Sequence, residues 1–232
     1  MAGTIDLEHL NDPQREAVLH SGGPLVVFAG AGSGKTRVIT HRIAHLVAEE
    51  GVEPWQICGV TFTNKAAAEM RERLEVLSPG SGRLQIGTFH STCARLLRRH
   101  SEVANVRRDF TIYDDSDQKA MIKRILKDLN LDPKRFAPKQ MAHAIGAAKQ
   151  EMKGPDQIDI DTAFDEIVAK IYKAYEERMA ACGALDFGDL IYRLVRALED
   201  NDGFRDQLAR RFVHLLVDEF QDTNHAQLRL VT

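Results

Sequence analysis

The feature that most constrains this chain is the stretch Ala29-Gly30-Ala31-Gly32-Ser33-Gly34-Lys35-Thr36. A small residue, four positions and then Gly-Lys-Thr is the spacing of a phosphate-binding loop. Leu25-Val26-Val27-Phe28 precedes it and reads as a buried strand. Arg37 to Val47 follows with helical apolar spacing. Strand, glycine loop and helix are the setting such a loop needs. The glycines let backbone N–H groups turn inward around phosphate oxygens, and the helix N-terminus adds its dipole. Lys35 is then placed to reach the terminal phosphates of a nucleoside triphosphate, and Thr36 to ligate Mg²⁺.

A second signal lies far along the chain, in Val217-Asp218-Glu219-Phe220-Gln221-Asp222-Thr223-Asn224. An apolar run from Val213 ends there in two adjacent carboxylates. At the edge of a phosphate-loop sheet, Asp218 can hold the Mg²⁺ that bridges the β- and γ-phosphates, and Glu219 can orient or deprotonate the attacking water. Side-chain alternation along a strand is expected to aim the two acids differently.

The segments between alternate at first. Strands are predicted at Ile57–Phe62, Leu84–Phe89 and Phe110–Tyr113, with helices at Asn64–Leu77 and Ser91–His100 and a turn over Ser78–Gly82. That pattern predicts a parallel α/β sheet. From Asp114 to about residue 200 the signals are almost all helical, and strand character returns at Val213–Asp218. The expected organisation is an α/β domain over 1–113, an inserted all-helical subdomain over 114–200, and a return of the first domain over 201–232. The chain stops within a helix expected to start near Asn224, without a stop signal, and so reads as part of a longer polypeptide.

Composition narrows the rest. The net charge of −3 shows no global basic excess, so nucleic-acid binding would need a local surface. Three widely spaced cysteines, Cys58, Cys93 and Cys182, argue for reduced thiols and a cytoplasmic setting. No apolar run approaches membrane-spanning length. His41 and His45 lack the intervening acid of a zinc-protease helix, and Asp114-Asp115-Ser116-Asp117 lacks the glycine of a calcium loop and suits a helix cap. Arg95, Arg98, Arg99, Arg107 and Arg108 form a basic stretch that either touches DNA backbone or is a solvated helix face, the second being favoured for charge runs.

Taken with the phosphate loop, Asp-Glu-Phe-Gln-Asp-Thr-Asn resembles the superfamily 1 DNA helicases of the UvrD/Rep/PcrA type. Further resemblances fall in the family's order: Leu10-Asn11-Asp12-Pro13-Gln14, Thr61 to Met70, Gly87-Thr88-Phe89-His90-Ser91, and Leu185-Asp186-Phe187-Gly188-Asp189-Leu190. Phe220 stands where the family commonly has Tyr, and Gly188 where an acid is frequent.

The resemblance implies a RecA-like parallel sheet and the N-terminal part of an ATP-dependent helicase that moves 3′→5′ on single-stranded DNA. Gln14 would read adenine and Arg37 would lie against its face, while Gln221 would sense the γ-phosphate. Phe62, Thr63, Asn64, Lys65, Thr88, Phe89 and His90 would line a DNA path, with Ser91 beside them. Hydroxyls and helix N-termini suit phosphates. Phe62 is open between base stacking and core packing, and Phe89 leans toward core. Single-stranded DNA, junctions with duplex and a second motor domain would be the partners, with ATP and Mg²⁺ as cofactors. The residues here are expected to bind ATP weakly and hydrolyse it little, since the later arginines of the family lie outside them. A non-helicase P-loop kinase, a non-catalytic nucleotide- or DNA-binding module and the motor of a helicase–nuclease are the other readings.

Overall fold

The structure, a computed structural model, describes residues 5–30, 32–79 and 84–232. Its contacts divide into two compact units, Met1–Thr92 with Asp206–Asp222, and Cys93–Arg205 with Thr223–Thr232.

The first unit is built on a parallel sheet. Helix α1 (Asp12–Leu19) starts at Asn11, whose side chain accepts from Gln14 N–H at 3.0 Å while Gln14 Oε1 accepts from Asn11 N–H at 3.2 Å. This reciprocal capping box fixes where the helix begins. Helix α2 (Lys35–Ala48) follows the glycine loop. Strand β1 (Ile57–Thr61) is buried along its whole length and leads into α3 (Asn64–Leu77), and β2 (Gln85–Thr88) leads into α4 (Phe89–Arg99). Strand β5 (His214–Val217) completes the order β2-β1-β5, all parallel, with Cys58 opposite both Gln85 and Leu215. Buried Ile43 and Leu46 from α2, Met70 and Leu74 from α3, and Ile57 and Ile86 from the strands form one apolar cluster. Parallel strands need such cover, because crossover helices return over the sheet face.

One predicted strand is not formed. Leu25–Phe28 makes no ladder among the described residues, and Phe28 is 95% exposed. Four apolar residues announce a preference for burial, but a strand also needs a partner edge, and an apolar run cannot specify that.

The second unit is mainly helical. It contains α5 (Asp115–Asp128), α6 (Pro138–Gln150), α7 (Ala163–Cys182), α8 (Phe187–Asp200) and α10 (His225–Val231), with the end of α4 and the start of α9 (Asp202–Arg211). Asp114 caps α5 as expected, accepting from Ser116 and Asp117 N–H. Strand β3 (Thr111–Tyr113) does not join the main sheet. It pairs in parallel with β4 (Ala184–Asp186), a strand not predicted, because the partner lies some seventy residues away in sequence. Ile122, Ile125 and Leu126 of α5 pack with Met141 and Ile145 of α6 and Ile171, Tyr172 and Tyr175 of α7. Among the described residues no helix is long and apolar enough to cross a membrane.

Candidate functional site

Gly34 sits at the N-cap of α2 with φ +89°, a left-handed conformation that a Cβ would strain. A Cβ there would also lie 2.9 Å from Gln14 Nε2. The glycine therefore lets α1 reach the loop: Gln14 Nε2 donates to Ser33 O at 2.8 Å. Ser33 Oγ in turn donates to Gly30 O at 2.7 Å. Ala29, Gly30, Gly32 and Ser33 are exposed, and Gly34 and Thr36 are half-buried. Ala31 lies outside the described residues, as do Gly80, Ser81 and Gly82 of the predicted turn.

Lys35 Nζ lies 3.5 Å from the carbonyl oxygens of Ala29 and Gly30 and 3.6 Å from Glu219 Oε2. These are long contacts to three acceptors. The structure thus brings the loop lysine and the second carboxylate together from sequence positions far apart.

The two acids diverge for a different reason from the one expected. Strand β5 ends at Val217, so alternation along a strand does not aim them. Asp218 continues one step, its N–H donating to Val60 O at 2.9 Å. Glu219 then turns into the left-handed region at φ +52°. For a residue with a side chain that conformation costs about 1–2 kcal/mol, and such strain gathers at functional sites. Glu219 Oε2 also accepts from Gln221 Nε2 at 2.5 Å.

Asp218 is only 4% exposed, and its Oδ1 has no hydrogen-bond partner. Burial pushes its carboxyl pKa up, the neighbouring Glu219 charge adds to that, and Lys35 pulls it partly back. A buried carboxylate oxygen left unsatisfied is costly and suits a cation. Among the described residues the Thr36 hydroxyl likewise has no hydrogen-bond partner, and no group of three or more His, Cys, Asp or Glu could hold a metal alone. One carboxylate and one hydroxyl, completed by substrate phosphates and water, is a donor set that fits Mg²⁺.

Gln14 uses one acceptor site on its own helix cap and one amide hydrogen on the loop. A carboxamide has two donors and two acceptor sites, so one of each is left for a base. Arg37 is exposed in the first turn of α2. His41 Nδ1 contacts Arg37 O and His45 lies 3.4 Å from Glu50, so these histidines serve local contacts.

The two Thr-Phe segments leave β1 and β2 at the same ends of neighbouring parallel strands. Thr63 Oγ1 accepts from Ala66 N–H at 3.1 Å and Thr88 Oγ1 from Ser91 N–H at 3.1 Å, so both threonines are helix caps. Ser91 Oγ donates back to Thr88 O. Phe62 is half-buried and its ring centroid is 5.5 Å from that of Phe89, tilted by 59°. Phe89 is 1% exposed, so it cannot offer a face to a base and instead backs Phe62. Thr88 is also buried, while Thr63, Asn64 and Lys65 are exposed. Burial lowers the His90 pKa, which favours the neutral ring.

The Leu185–Leu190 signature acquires a physical role that its residues did not disclose. Asp186 and Asp189 form the reciprocal cap of α8, and both reach Lys149, whose Nζ lies 2.9 Å from Asp186, 2.7 Å from Asp189 and 2.9 Å from Glu176. Tyr175 Oη and Gln118 Nε2 donate to Asp186, and Arg193 pairs with Glu176. Lys149 is 1% exposed. Burial alone would lower its pKa, but Asp189, Asp186 and Glu176 outweigh that and hold it well above the usual lysine range. Burial meanwhile pushes Asp189 up to about 6. The lysine went unnoticed in the sequence because its partners come from other elements.

The chain also resembles known proteins along nearly its whole length. A family model described as the UvrD/REP helicase N-terminal domain matches residues 10–232. The chain is 45% identical over 228 residues to the ATP-dependent DNA helicase PcrA of Bacillus subtilis (strain 168), covering 97% of this chain and 31% of the relative. It is 46% identical over 232 residues to the ATP-dependent DNA helicase UvrD1 of Mycobacterium tuberculosis (strain H37Rv), covering 97% and 30%. PcrA of Staphylococcus aureus (strain NCTC 8325) is 43% identical over 228 residues, covering 97% and 31%. The chain thus spans less than a third of the length of these relatives.

Proposed function

The chain belongs to the UvrD/REP helicase family, and from that premise we propose that it is the ATP-binding first motor region of a DNA helicase that moves 3′→5′ on single-stranded DNA. In this reading residues 1–113 and 201–232 make a RecA-like motor domain, and residues 114–200 are its helical insertion. A second motor domain supplies the other wall of the nucleotide cleft. The work is in DNA repair or replication, in the cytoplasm, at junctions of single- and double-stranded DNA.

The observation that carries the reading is the meeting of Lys35 with Glu219 beside a buried Asp218 whose Oδ1 lacks a partner. Lys35 is met by the loop carbonyls of Ala29 and Gly30 and by Glu219. Terminal phosphates of ATP would replace those contacts, as an ammonium–phosphate pair is stronger than a long contact to a carbonyl. Glu219 is then released to orient or deprotonate the attacking water. Gln221, bonded to Glu219, stands beside that exchange and is placed to report the γ-phosphate. Asp218 Oδ1 and the Thr36 hydroxyl would hold Mg²⁺, which neutralises phosphate charge when bound. Gln14 reads adenine with its remaining donor and acceptor, and Arg37 covers the base. Phe62, Thr63, Asn64 and Lys65 offer a ring, a hydroxyl, an amide and a cation to the DNA strand, with Thr88 and His90 beside them.

The later arginines of the family, which lie outside these residues, stabilise the transferring phosphoryl group by a factor on the order of 10³–10⁵ in related enzymes. The 232 residues alone are therefore expected to bind ATP and hydrolyse it only slowly, and not to unwind DNA. Hydrolysis and unwinding of a 3′-tailed duplex are to be measured for these residues alone and for the same residues fused to the remaining two thirds of a relative. Activity confined to the fusion supports the reading. DNA-stimulated turnover of the residues alone at the rate of a complete helicase sinks it.

A further inference from the structure

Arg95, Arg98, Arg99 and Arg108 line an open groove of about 640 Å³ in the second unit, and all four are exposed. Arg95, Arg98 and Arg99 stand three and four residues apart on α4, so they share one helix face. The opposite face buries Cys93, Leu96 and Leu97. Arg108 comes from the loop after the helix. Arg98 is fixed by stacking, its guanidinium carbon 4.7 Å from the Phe110 ring centroid.

Among the described residues none of the four has an ion-pair partner. The adjacent Arg107 behaves differently, since Asp109 grips it through two hydrogen bonds of 3.1 and 2.9 Å. An unpartnered surface arginine is ordinary. Four of them around one groove, with Glu102 as the one acid in its lining, make a positive field in a chain whose net charge is −3. Such a field raises the local concentration of anions. The helix dipole accounts for Arg98 and Arg99 in the last turn of α4, but not for Arg95 or Arg108.

We propose that this groove binds the phosphodiester backbone of double-stranded DNA without reading sequence. Guanidinium forks match phosphate oxygens. Single-strand sites add aromatic rings on which bases stack. Here the His100 ring is already engaged, 4.9 Å from the Phe204 ring, and no Phe, Tyr or Trp lines the groove. The groove therefore suits phosphates rather than unstacked bases. The choice of DNA as the polyanion rests on the motor reading above, while the site itself is separate from the nucleotide loop.

The test is a salt series for binding of a mixed-sequence, 20-base-pair duplex, read by fluorescence anisotropy. Arg95, Arg99 and Arg108 are changed together to Ala, leaving Arg98 on Phe110. The slope of log affinity against log salt should become shallower by about 2.7, at about 0.9 per lost phosphate contact. Duplex affinity at 100 mM salt should fall about tenfold or more. The triple Arg→Lys variant should keep the slope, which separates charge from damage to the fold, and an unchanged thermal melt checks the Ala variant. An unchanged slope in the Ala variant overturns the proposal. A loss confined to single-stranded DNA also overturns it. Lys35→Ala should leave duplex binding intact. If Lys35→Ala loses ATP binding while the arginine variants bind duplex normally, the motor reading stands and the groove assignment falls.

Discussion

Lys149 and Lys35 are each surrounded by three oxygen acceptors, and they do opposite things. Around Lys149 three carboxylates lie within 2.9 Å, and the residue is almost wholly buried. Around Lys35 the nearest acceptors lie at 3.5–3.6 Å and the side chain is 24% exposed. The first ammonium is held by charges that burial makes expensive to separate. The second is held loosely by groups that a ligand can displace. The tight cluster ties α6, α7 and α8 together, whereas the loosely met Lys35 beside Asp218 is the feature on which the proposed function rests.

The comparison breaks most visibly if Lys149 proves dispensable. Lys149→Met leaves Asp186, Asp189 and Glu176 buried around a missing cation. Removing one partner of a buried ion cluster costs about 3–5 kcal/mol, and urea unfolding should show that loss. A change below 1 kcal/mol would place the lysine among ordinary surface pairs. Next in size, Gly34→Ala forces a Cβ into a left-handed position and against Gln14. It should cost about 1–2 kcal/mol and abolish binding of a fluorescent ATP analogue. Lys35→Ala should shift stability by less than about 0.5 kcal/mol, as expected for partly exposed pairs, while removing ATP binding.

The smallest effect runs the other way. The Asp218 carboxyl has a raised folded-state pKa, so its ionisation works against the fold. That penalty is absent below the unfolded value near 4 and grows as pH rises through the folded value. Asp218→Asn removes it, so the variant should melt slightly higher than the parent at pH 7 and show no such gain at pH 4, while losing Mg²⁺-dependent nucleotide binding. A variant that melts lower at pH 7 would contradict the assignment of Asp218 as an unsatisfied ligand.

What the sequence disclosed follows from which interactions are local. Helix α3 was read to the residue, because Thr63 caps it and an Ala- and Glu-rich run fills it. The cap at Asp114 was equally legible. The tie of Asp186 and Asp189, at the start of α8, to Lys149 was not, because Lys149 is separated from Asp186 by 37 residues and nothing local marks a buried lysine. The β3–β4 pair was invisible for the same reason. Helix α9 was missed because half of Asp202–Arg211 is charged, with Phe204 and Leu208 its only large apolar residues. Leu25–Phe28 misled in the other direction, since apolar content signals burial without supplying a partner edge. In the site, the residue types at the loop and at Asp218-Glu219 gave the chemistry. The left-handed turn at Glu219, which sets how the two acids part, is a backbone fact that no side-chain pattern reports.

Lys35 and Asp218 are proposed to belong to one nucleotide site. Titration of a fluorescent ATP analogue with Mg²⁺ into the parent chain, Lys35→Ala and Asp218→Asn tests it most directly. Saturable binding to the parent is expected, with at least about tenfold weaker binding to Lys35→Ala and a Mg²⁺ dependence that vanishes in Asp218→Asn, where tenfold corresponds to about 1.4 kcal/mol. Equal affinity of all three proteins, with or without Mg²⁺, would contradict it.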